Sequence, residues 1–332
     1  MTATQPQILT DKFGRVHDYL RISLTDQCNL RCSYCMPVNP VFMPKDRLMS
    51  ASEIELLAST FVQLGIKKIR LTGGEPLFRK DFDDILKRLA RLNVPINITT
   101  NGYYLNEHIN LIKKNIHSVN ISLDTLKPEK FRLITQRNAF ERTLENIDLA
   151  LSHNIRTKIN VVLVKNINDE EIPDFIRLTL RYPVEVRFIE FMPFKGNKWQ
   201  LEQTSSRNEI LDRIRNSFII EPLIGEKHQT SEDFRVIHAH GTFGIISTVT
   251  KPFCDSCNRI RITADGKLKN CLFGLDEFDL RPYLKDAVAL EQIIRKGILQ
   301  KHRQYGGHPP MNIPKAEKYT YADNRTMTAI GG

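Results

Sequence analysis

Long apolar runs are missing from this sequence of 332 residues. The longest candidate, residues 159–164, has the length of a strand, whereas a membrane-spanning helix needs about 20 consecutive apolar residues. The opening MTATQPQILTDKFGR has neither the basic start and apolar stretch of a secretory signal nor the Arg-rich, acid-poor pattern of a transit peptide. We therefore predict a cytoplasmic protein that does not enter a membrane.

Blocks of one charge are also absent, although the chain is basic overall. Lys and Arg number 48 against 38 Asp and Glu, which gives a net charge of +10. No stretch of five or more basic residues occurs, and no aromatic platform is interleaved with such a stretch, as in surfaces that bind nucleic acids. A small phosphate-bearing substrate explains the positive charge as well as a nucleic acid does, and we predict no nucleic-acid partner.

Short β-rich segments alternate with amphipathic helical ones over the first 190 residues. The strands are predicted at 19–24, 68–72, 96–99, 118–123, 157–164 and 184–190, and the helices between them at 51–64, 82–92, 107–114, 141–153 and 169–180. This alternation is typical of an α/β fold with a parallel sheet, either doubly wound or barrel-like. Ligands of such folds bind at the carboxyl ends of the strands.

The pattern changes after residue 200. One more helix is predicted near 207–215, followed by β-like segments at 234–250 and 258–271. We therefore predict two domains, 1–220 and 221–332. The tail from residue 308 is polar and contains proline, so we expect an unpacked or loosely docked terminus.

Cysteine is scarce, and its six positions form two triplets at opposite ends of the chain. In a long chain without a signal peptide, metal binding is a better interpretation than disulfides. The first triplet, Cys28-x3-Cys32-x2-Cys35, directly follows the first predicted strand. Zinc normally takes four ligands in paired spacing, whereas three cysteines on a four-iron cubane leave one iron open to another ligand.

The second triplet, Cys254-x2-Cys257-x13-Cys271, allows two interpretations. It forms three-quarters of a zinc ribbon, whose fourth ligand would come from one of three nearby side chains, His238, His240 or Asp255. Together with the first triplet, it is a second cubane that again lacks one ligand. Two open irons would then bind two different molecules.

Cations occur within the predicted strands, where both faces of a parallel sheet are normally buried. Arg21, Arg70 and Lys158 lie on such strands, as does Thr99. An anionic ligand inside the fold accounts for them. Strand alternation also places a further pair on one side, Arg259 and Arg261, either as a solvated face or aimed at one ligand. We favour the ligand, because the pair begins two residues after a cysteine of the second triplet.

The spacing CxxxCxxC after a first strand, with Tyr34 before the last cysteine, resembles the radical S-adenosylmethionine (SAM) superfamily. The resemblance implies a partial (β/α)6 TIM-like barrel with a smaller C-terminal α+β region that carries a second cluster. It also implies that the open iron of the first cluster chelates SAM, which yields a 5′-deoxyadenosyl radical on reduction. The residues that match SAM-binding positions are Tyr34, Gly74 in the sequence TGGEP, Ser122 and Met192.

Within this superfamily, the sequences TDQCNLRCSYCMP, TGGEP, RFIEFMP, FCDSCNRIRIT and the terminal diglycine together resemble the GTP 3′,8-cyclases of molybdenum cofactor biosynthesis. Gln27 is a departure, since many members have Arg there. The resemblance implies two [4Fe–4S] clusters on the six cysteines. It also implies a GTP site made of Arg21, Arg70, Thr99, Lys158, Arg259, Ile260 and Arg261, of which Arg21, Arg259 and Arg261 serve catalysis. The implied reaction removes hydrogen from C3′ of the ribose, joins C3′ to C8 of guanine and gives 3′,8-cyclo-7,8-dihydro-GTP.

The resemblance also implies partners. They are a reducing system for the clusters, a downstream cyclic pyranopterin monophosphate synthase that receives the product, and a second copy of the chain in a homodimer. The diglycine end, Gly331 and Gly332, is expected to reach into the active site. Two alternatives stay open at this point: another radical SAM enzyme with an auxiliary cluster, for example one that modifies a peptide, and a non-enzymatic zinc or iron–sulfur module that binds nucleic acid.

Overall fold

The structure is a computed structural model that describes residues 8–225, 228–311 and 323–331. Its strands are β1 (Tyr19–Ser23), β2 (Lys68–Thr72), β3 (Ile96–Thr100), β4 (Ser118–Ser122), β5 (Thr157–Leu163), β6 (Glu185–Glu190), β7 (Ile220–Pro222), β8 (Glu232–Val236), β9 (Thr242–Ile246), β10 (Arg259–Ile262), β11 (Lys267–Lys269) and β12 (Phe278–Asp279). Its helices are α1 (Ala51–Gln63), α2 (Phe82–Leu89), α3 (Ile109–Asn115), α4 (Pro128–Thr135), α5 (Phe140–Ser152), α6 (Ile172–Arg181), α7 (Arg207–Arg215), α8 (Ala287–Leu299) and α9 (Met327–Ile330).

The local sequence explains why the helices begin and pack as they do. Helix α1 begins at a capping box, in which the Ser50 side chain accepts from the Glu53 N–H and the Glu53 carboxylate accepts from the Ser50 N–H. Helix α2 buries Phe82 and Leu86 on one face and carries charges on the other. Such helices cover the outer side of the sheet, so the apolar side chains of both layers form one core.

The twelve strands lie in one sheet in the order β12-β11-β10-β1-β2-β3-β4-β5-β6-β9-β8-β7. All neighbours from β10 to β9 along this order are parallel, and the outer pairs on both sides are antiparallel. The six predicted strands are confirmed as β1 to β6, and the predicted α/β fold is confirmed with them. Two further parallel strands, β9 and β10, extend the run at its two ends.

The part of the chain after residue 220 therefore contributes strands to both edges of the sheet. The boundary at 220/221 stays a prediction. Helices α4 and α8 were not predicted, whereas α7 lies where the sequence predicts it. No described helix combines the length and the apolar character that crossing a bilayer requires.

The prediction of a loosely docked terminus is wrong for residues 323–331. Helix α9 is packed, and Ile330 is fully buried in a cluster with Phe191 and Phe194. Arg325 holds the start of this segment through two carboxylates, with 2.6 Å from its Nε to Glu277 and 2.8 Å from its guanidinium to Asp265. Residues 312–322 and Gly332 lie outside the described residues.

Candidate active site

One cavity of about 800 Å³ brings the predicted site together. Such a volume is typical of sites for drug-sized or nucleotide-sized ligands. Its walls contain all but one of the predicted site residues, namely Arg21, Cys28, Cys32, Tyr34, Cys35, Arg70, Gly74, Thr99, Ser122, Lys158, Met192, Cys254, Cys257, Arg259, Arg261 and Cys271. The exception is Ile260, whose side chain is fully buried in the core, so only its backbone is left for a ligand.

The first cysteine triplet lies in the loop after β1, at the carboxyl end of that strand. This loop packs against the end of α4, where the Arg31 N–H donates to Thr135 O at 2.9 Å. Burial raises the pKa of Cys28 to about 12, and it also raises the pKa values of Cys32 and Cys35, which the neighbouring thiols raise further. Several buried thiolates side by side are unfavourable unless a cation compensates them, and a bound metal centre would take the place of their protons.

A single metal ion does not fit the cysteines as well. Within the parts of the chain that the structure describes, no group of three or more His, Cys, Asp or Glu side chains is arranged to hold one ion. Zinc draws its ligands to about 2.3 Å from one centre. A cubane instead spreads three cysteines over three different irons, so it does not require them to converge on one ion.

The TGGEP segment after β2 packs directly on the cysteine loop. Gly74 donates its N–H to Thr25 O at 2.7 Å, and Glu75 donates to Gln27 O at 2.8 Å. A Cβ atom on Gly74 would lie 2.6 Å from Asp26 O, so only glycine allows this approach. The backbone N–H of Gly74 therefore serves the cysteine loop and is not left for an anion.

Glu75 in the same segment is a fully buried carboxylate that fixes the end of β3. It accepts hydrogen bonds from Thr100 Oγ1 and the Asn101 N–H, both at 2.7 Å, and from the Leu77 N–H at 3.0 Å. The side-chain amide nitrogen of Asn101 in turn lies 3.7 Å from Cys28 Sγ. Glu75 thereby couples the glycine turn to the cysteine loop.

Replacement of Glu75 by Gln is expected to remove a pH dependence of stability. Burial raises the pKa of Glu75 from 4.5 to about 7, against the hydrogen bonds from Asn101 and Thr100 that lower it. The stabilising proton is bound at low pH, so the free energy of unfolding should fall as pH rises from about 4.5 to 7. Glu75→Gln should lack this slope in urea unfolding of the apoprotein.

Glu141→Gln, at an exposed position of α5, is the matched control and should keep the wild-type slope. An unchanged slope in Glu75→Gln would contradict the assignment of the proton to Glu75.

The predicted SAM-binding residues line the cavity around the same loop. Tyr34 donates its hydroxyl to Asp124 at 2.6 Å, and Asp124 also accepts from the Val162 N–H at 2.8 Å. Burial raises the pKa of Asp124 to about 6. Asp124 was not predicted, although its position just beyond β4, two residues after Ser122, is a signal for a site residue.

The arginines form a row across three neighbouring strands. Arg21 of β1 is the direct cross-strand partner of Arg261 on β10 and of Arg70 on β2. Like charges in such positions destabilise a sheet. Leu20 and Ile22 of β1 point into the apolar core, so alternation turns the row towards the cavity.

The guanidinium groups of Arg261 in this row and of Arg259 on the same strand are suited to bind an anion. Within the described residues, the buried Nε atoms of Arg259 and Arg261 have no hydrogen-bond partner. Burial and the neighbouring Arg259 charge lower the pKa of Arg261 to about 10. Arg259 also lies over the ring of Phe253, with 4.6 Å from its guanidinium carbon to the ring centroid. Buried guanidinium nitrogens that lack a hydrogen-bond partner are costly, so the Nε atoms of Arg259 and Arg261 favour a negatively charged ligand here.

Arg70 is already held by side chains around it. It donates to the Tyr19 hydroxyl and to Thr99 Oγ1, the latter at 3.2 Å. Burial alone would raise the pKa of Tyr19, but the charges of Arg70 and Arg21 lower it to about 7. Tyr19 was missed by the sequence analysis, although it lies two residues before Arg21 and therefore on the same side of β1.

The ammonium group of Lys158 is already in an ion pair within the cavity wall. It donates to Glu185 of β6, which also accepts from Arg187. Burial and the Arg187 charge lower the pKa of Lys158 to about 8. The sequence predicts a strand at 184–190 but not this carboxylate between two cations.

The pairing of β10 with β11 brings two cysteines of the second triplet close together. Cys257 precedes β10 and Cys271 follows β11, and these strands are antiparallel, so both cysteines lie at the same end. Burial would raise the pKa of Cys257, but the charges of Lys301 and Arg259 outweigh it and lower that pKa to about 6. In the same triplet, burial raises the pKa of Cys254, so the effect of these cations is concentrated at Cys257.

The C-terminal segment reaches the carboxyl ends of β1 and β2. Met327 lines the cavity. A Cβ atom on Gly331 would lie 2.6 Å from Thr72 Oγ1 and 2.8 Å from Ser23 Cβ. The first residue of the diglycine thus lies at the site, as expected, whereas Gly332 is outside the described residues.

Two family models match the chain. The model for the radical SAM superfamily matches residues 22–179, and the model described as Molybdenum Cofactor Synthesis C matches residues 184–307. A GTP 3′,8-cyclase from Listeria monocytogenes is 42% identical over 335 residues, covering 98% of this chain and 100% of the relative. The chain belongs to the GTP 3′,8-cyclase family of the radical SAM superfamily. This membership confirms the resemblance, and it implies a [4Fe–4S] cluster and SAM as cofactors.

Other relatives are longer. Molybdenum cofactor biosynthesis protein 1 from Drosophila melanogaster is 44% identical over 322 residues, which cover 94% of this chain and 57% of that protein. The chain spans 51% of the mouse relative of the same name. Among solved structures, the crystal structure of Streptococcus suis SuiB bound to S-adenosylmethionine matches with a TM-score of 0.63 at 15% identity, covering 94% of this chain and 73% of that one. This similarity supports the radical SAM fold.

Proposed function

We propose that this chain is a GTP 3′,8-cyclase that converts GTP into 3′,8-cyclo-7,8-dihydro-GTP. The observation that carries the proposal is the arginine row of β10, β1 and β2, which lies in one cavity with both cysteine triplets. A triphosphate supplies the negative charge that this row needs, and guanidinium groups bind phosphate through paired N–H donors. Family membership supports the choice of GTP.

The first triplet and the residues around it would hold the radical source. Cys28, Cys32 and Cys35 would ligate the cluster, while Tyr34, Gly74, Ser122 and Met192 would surround SAM. When bound and reduced, this pair of cofactors supplies a 5′-deoxyadenosyl radical. Asp124 keeps the Tyr34 hydroxyl in place, and Glu75 keeps the glycine turn against the cysteine loop.

The second triplet, Cys254, Cys257 and Cys271, would hold an auxiliary [4Fe–4S] cluster, whose open iron would bind the guanine. Arg21, Arg70, Thr99, Lys158, Arg259 and Arg261, with the backbone of Ile260, would position GTP so that C3′ faces the radical source. Removal of a hydrogen atom from C3′, bonding of C3′ to C8, and uptake of one electron and one proton give an isomer of GTP. The chain's own contribution is to orient the ribose and to compensate the charge of the triphosphate.

Family membership also supports three proposed partners for this chain. The product would pass to a cyclic pyranopterin monophosphate synthase, the clusters would draw electrons from a reducing system, and the chain would act as a homodimer in the cytoplasm.

The test is turnover by anaerobically reconstituted full chain with SAM, GTP and a strong reductant, followed by mass spectrometry. We expect 5′-deoxyadenosine and an isomer of GTP, with the isomer absent when SAM is left out. Deoxyadenosine with untouched GTP would overturn the substrate, and the absence of both products from protein with intact clusters would overturn the activity.

Cysteine variants separate the two clusters in the same assay. The parent should contain about eight irons and eight sulfides per chain, and Cys35→Ser or Cys271→Ser about four. Cys35→Ser should form neither product, whereas Cys271→Ser should still form some deoxyadenosine without the GTP isomer. Zinc in the parent instead of iron would contradict the auxiliary cluster and favour the zinc-ribbon alternative.

A further inference from the structure

Lys301 is a buried cation at the second cysteine triplet that neither the sequence analysis nor the proposed reaction uses. It follows the end of α8, and only 3% of the residue is exposed. Its ammonium group donates to Arg259 O at 2.9 Å and lies 3.5 Å from Cys257 Sγ. The side chain therefore ends at a sulfur of the triplet and at the backbone of β10.

No carboxylate among the described residues lies within ion-pair distance of this ammonium group. The charged groups around it include Arg15 and Arg259, which are also positive and therefore repel it. The neighbouring His17 is fully buried, and burial together with the Lys301 charge lowers its pKa to about 3, so that it stays neutral. A buried ammonium without an anion is costly. The thiolate sulfurs of the second triplet are therefore the groups that would supply the negative charge to balance this ammonium group.

The backbone around Lys301 is fixed to the same triplet. The guanidinium of Arg15 donates to Cys254 O, His302 O and Arg303 O, each at 2.8 Å. Asp11 holds Arg15 in turn, at 2.6 Å from its Nε. Segment 8–18 thus ties the cysteine loop to the residues that directly follow Lys301, so the contact between Lys301 and Cys257 is built into the fold.

The charge at a ligand sulfur affects the reduction potential of a cluster. A cation or an N–H donor at such a sulfur makes the addition of an electron easier. The Lys301 ammonium group, 3.5 Å from Cys257 Sγ, is placed to act in this way on a cluster held by the second triplet.

We propose that Lys301 is the counter-cation of the auxiliary cluster and raises its reduction potential. The inference rests on the proposed function, since it requires a cluster on Cys254, Cys257 and Cys271. Lys301 is a positioning residue in this role, because it acts through Cys257 and does not touch the substrate.

The test measures the auxiliary cluster alone. In the full chain, Cys28, Cys32 and Cys35 are replaced by Ala, the protein is reconstituted anaerobically, and the midpoint potential is followed by electron paramagnetic resonance. Lys301→Met should shift this potential to lower values, while Lys301→Arg should stay near the parent. Lys296→Met is the matched control, since Lys296 lies exposed on α8, and it should leave the potential unchanged.

The other outcomes are also decisive. Loss of iron in Lys301→Met with retention in Lys301→Arg would support the need for a positive charge. Equal loss of iron in both variants, or an unchanged potential in fully loaded Lys301→Met, would overturn the role of Lys301. A parent that binds no auxiliary iron would overturn the second cluster itself, and with it the proposed function as stated.

Discussion

Replacing Arg259 and Arg261 together by Ala is expected to lower kcat/KM for GTP by roughly 10²- to 10⁴-fold, because each charge-assisted hydrogen bond contributes about 1.5–3 kcal/mol. Both side chains lie on the cavity side of β10, and their buried Nε atoms have no partner among the described residues. The measurement is the rate of formation of the GTP isomer over a range of GTP concentrations.

Two controls make this result specific. Arg235→Ala removes an exposed arginine from β8 and should leave kcat/KM unchanged. Slow formation of deoxyadenosine without GTP should survive in the double variant, because the SAM site is built by other residues. Turnover of GTP at the wild-type rate would refute the assignment of this pair to the substrate.

Gly331→Val is expected to displace the C-terminal segment and to lower the rate of GTP turnover at least roughly 30-fold. The residue has a φ of +82°, and a side chain there would collide with Thr72 and Ser23, which are both buried. Left-handed backbone strain costs about 1–2 kcal/mol and overpacking costs about 1–3 kcal/mol. Together we expect these costs to exceed the free energy that docks the C-terminal segment.

Gly14→Val separates strain from collision. Gly14 has a φ of +77°, and nothing lies within 4 Å of its added Cβ. It should lose stability of about 1–2 kcal/mol and keep its tail docked. Displacement can be followed by trypsin cleavage after Arg325, which the ion pairs to Asp265 and Glu277 hold in the docked form. A docked, fully active Gly331→Val variant would show that the tail is not part of the site.

The sequence predicts the barrel strands well because their signal is local. Each of β1 to β6 is a short apolar segment between helical ones, and alternation within β1 and β10 correctly turns Arg21 and Arg261 away from the core. The placement of β9 and β10 beside β6 and β1 was not predictable in the same way. It depends on pairing between distant segments, for which one sequence contains no periodic signal.

The site shows the same limit. Cysteine spacing and strand cations indicate the two triplets and the phosphate-binding row without a structure. Lys301 and Arg15 carry no such signal, because the contacts that bring them to the second triplet are to backbone carbonyls and a sulfur far away in the sequence. Asp124 and Tyr19 are intermediate cases, since each lies two residues from a residue that the sequence did indicate.

The sheet order also constrains how the protein is made. Strand β1 leaves the ribosome early, yet its outer neighbour is β10, and Tyr19 pairs with Arg259 only after most of the chain has been synthesised. On the other side, β6 must wait for β9. A nascent chain that ends before these strands exposes the unpaired edges of β1 and β6, which are templates for pairing with other chains. The parallel sheet is therefore completed only after most of the chain has been synthesised.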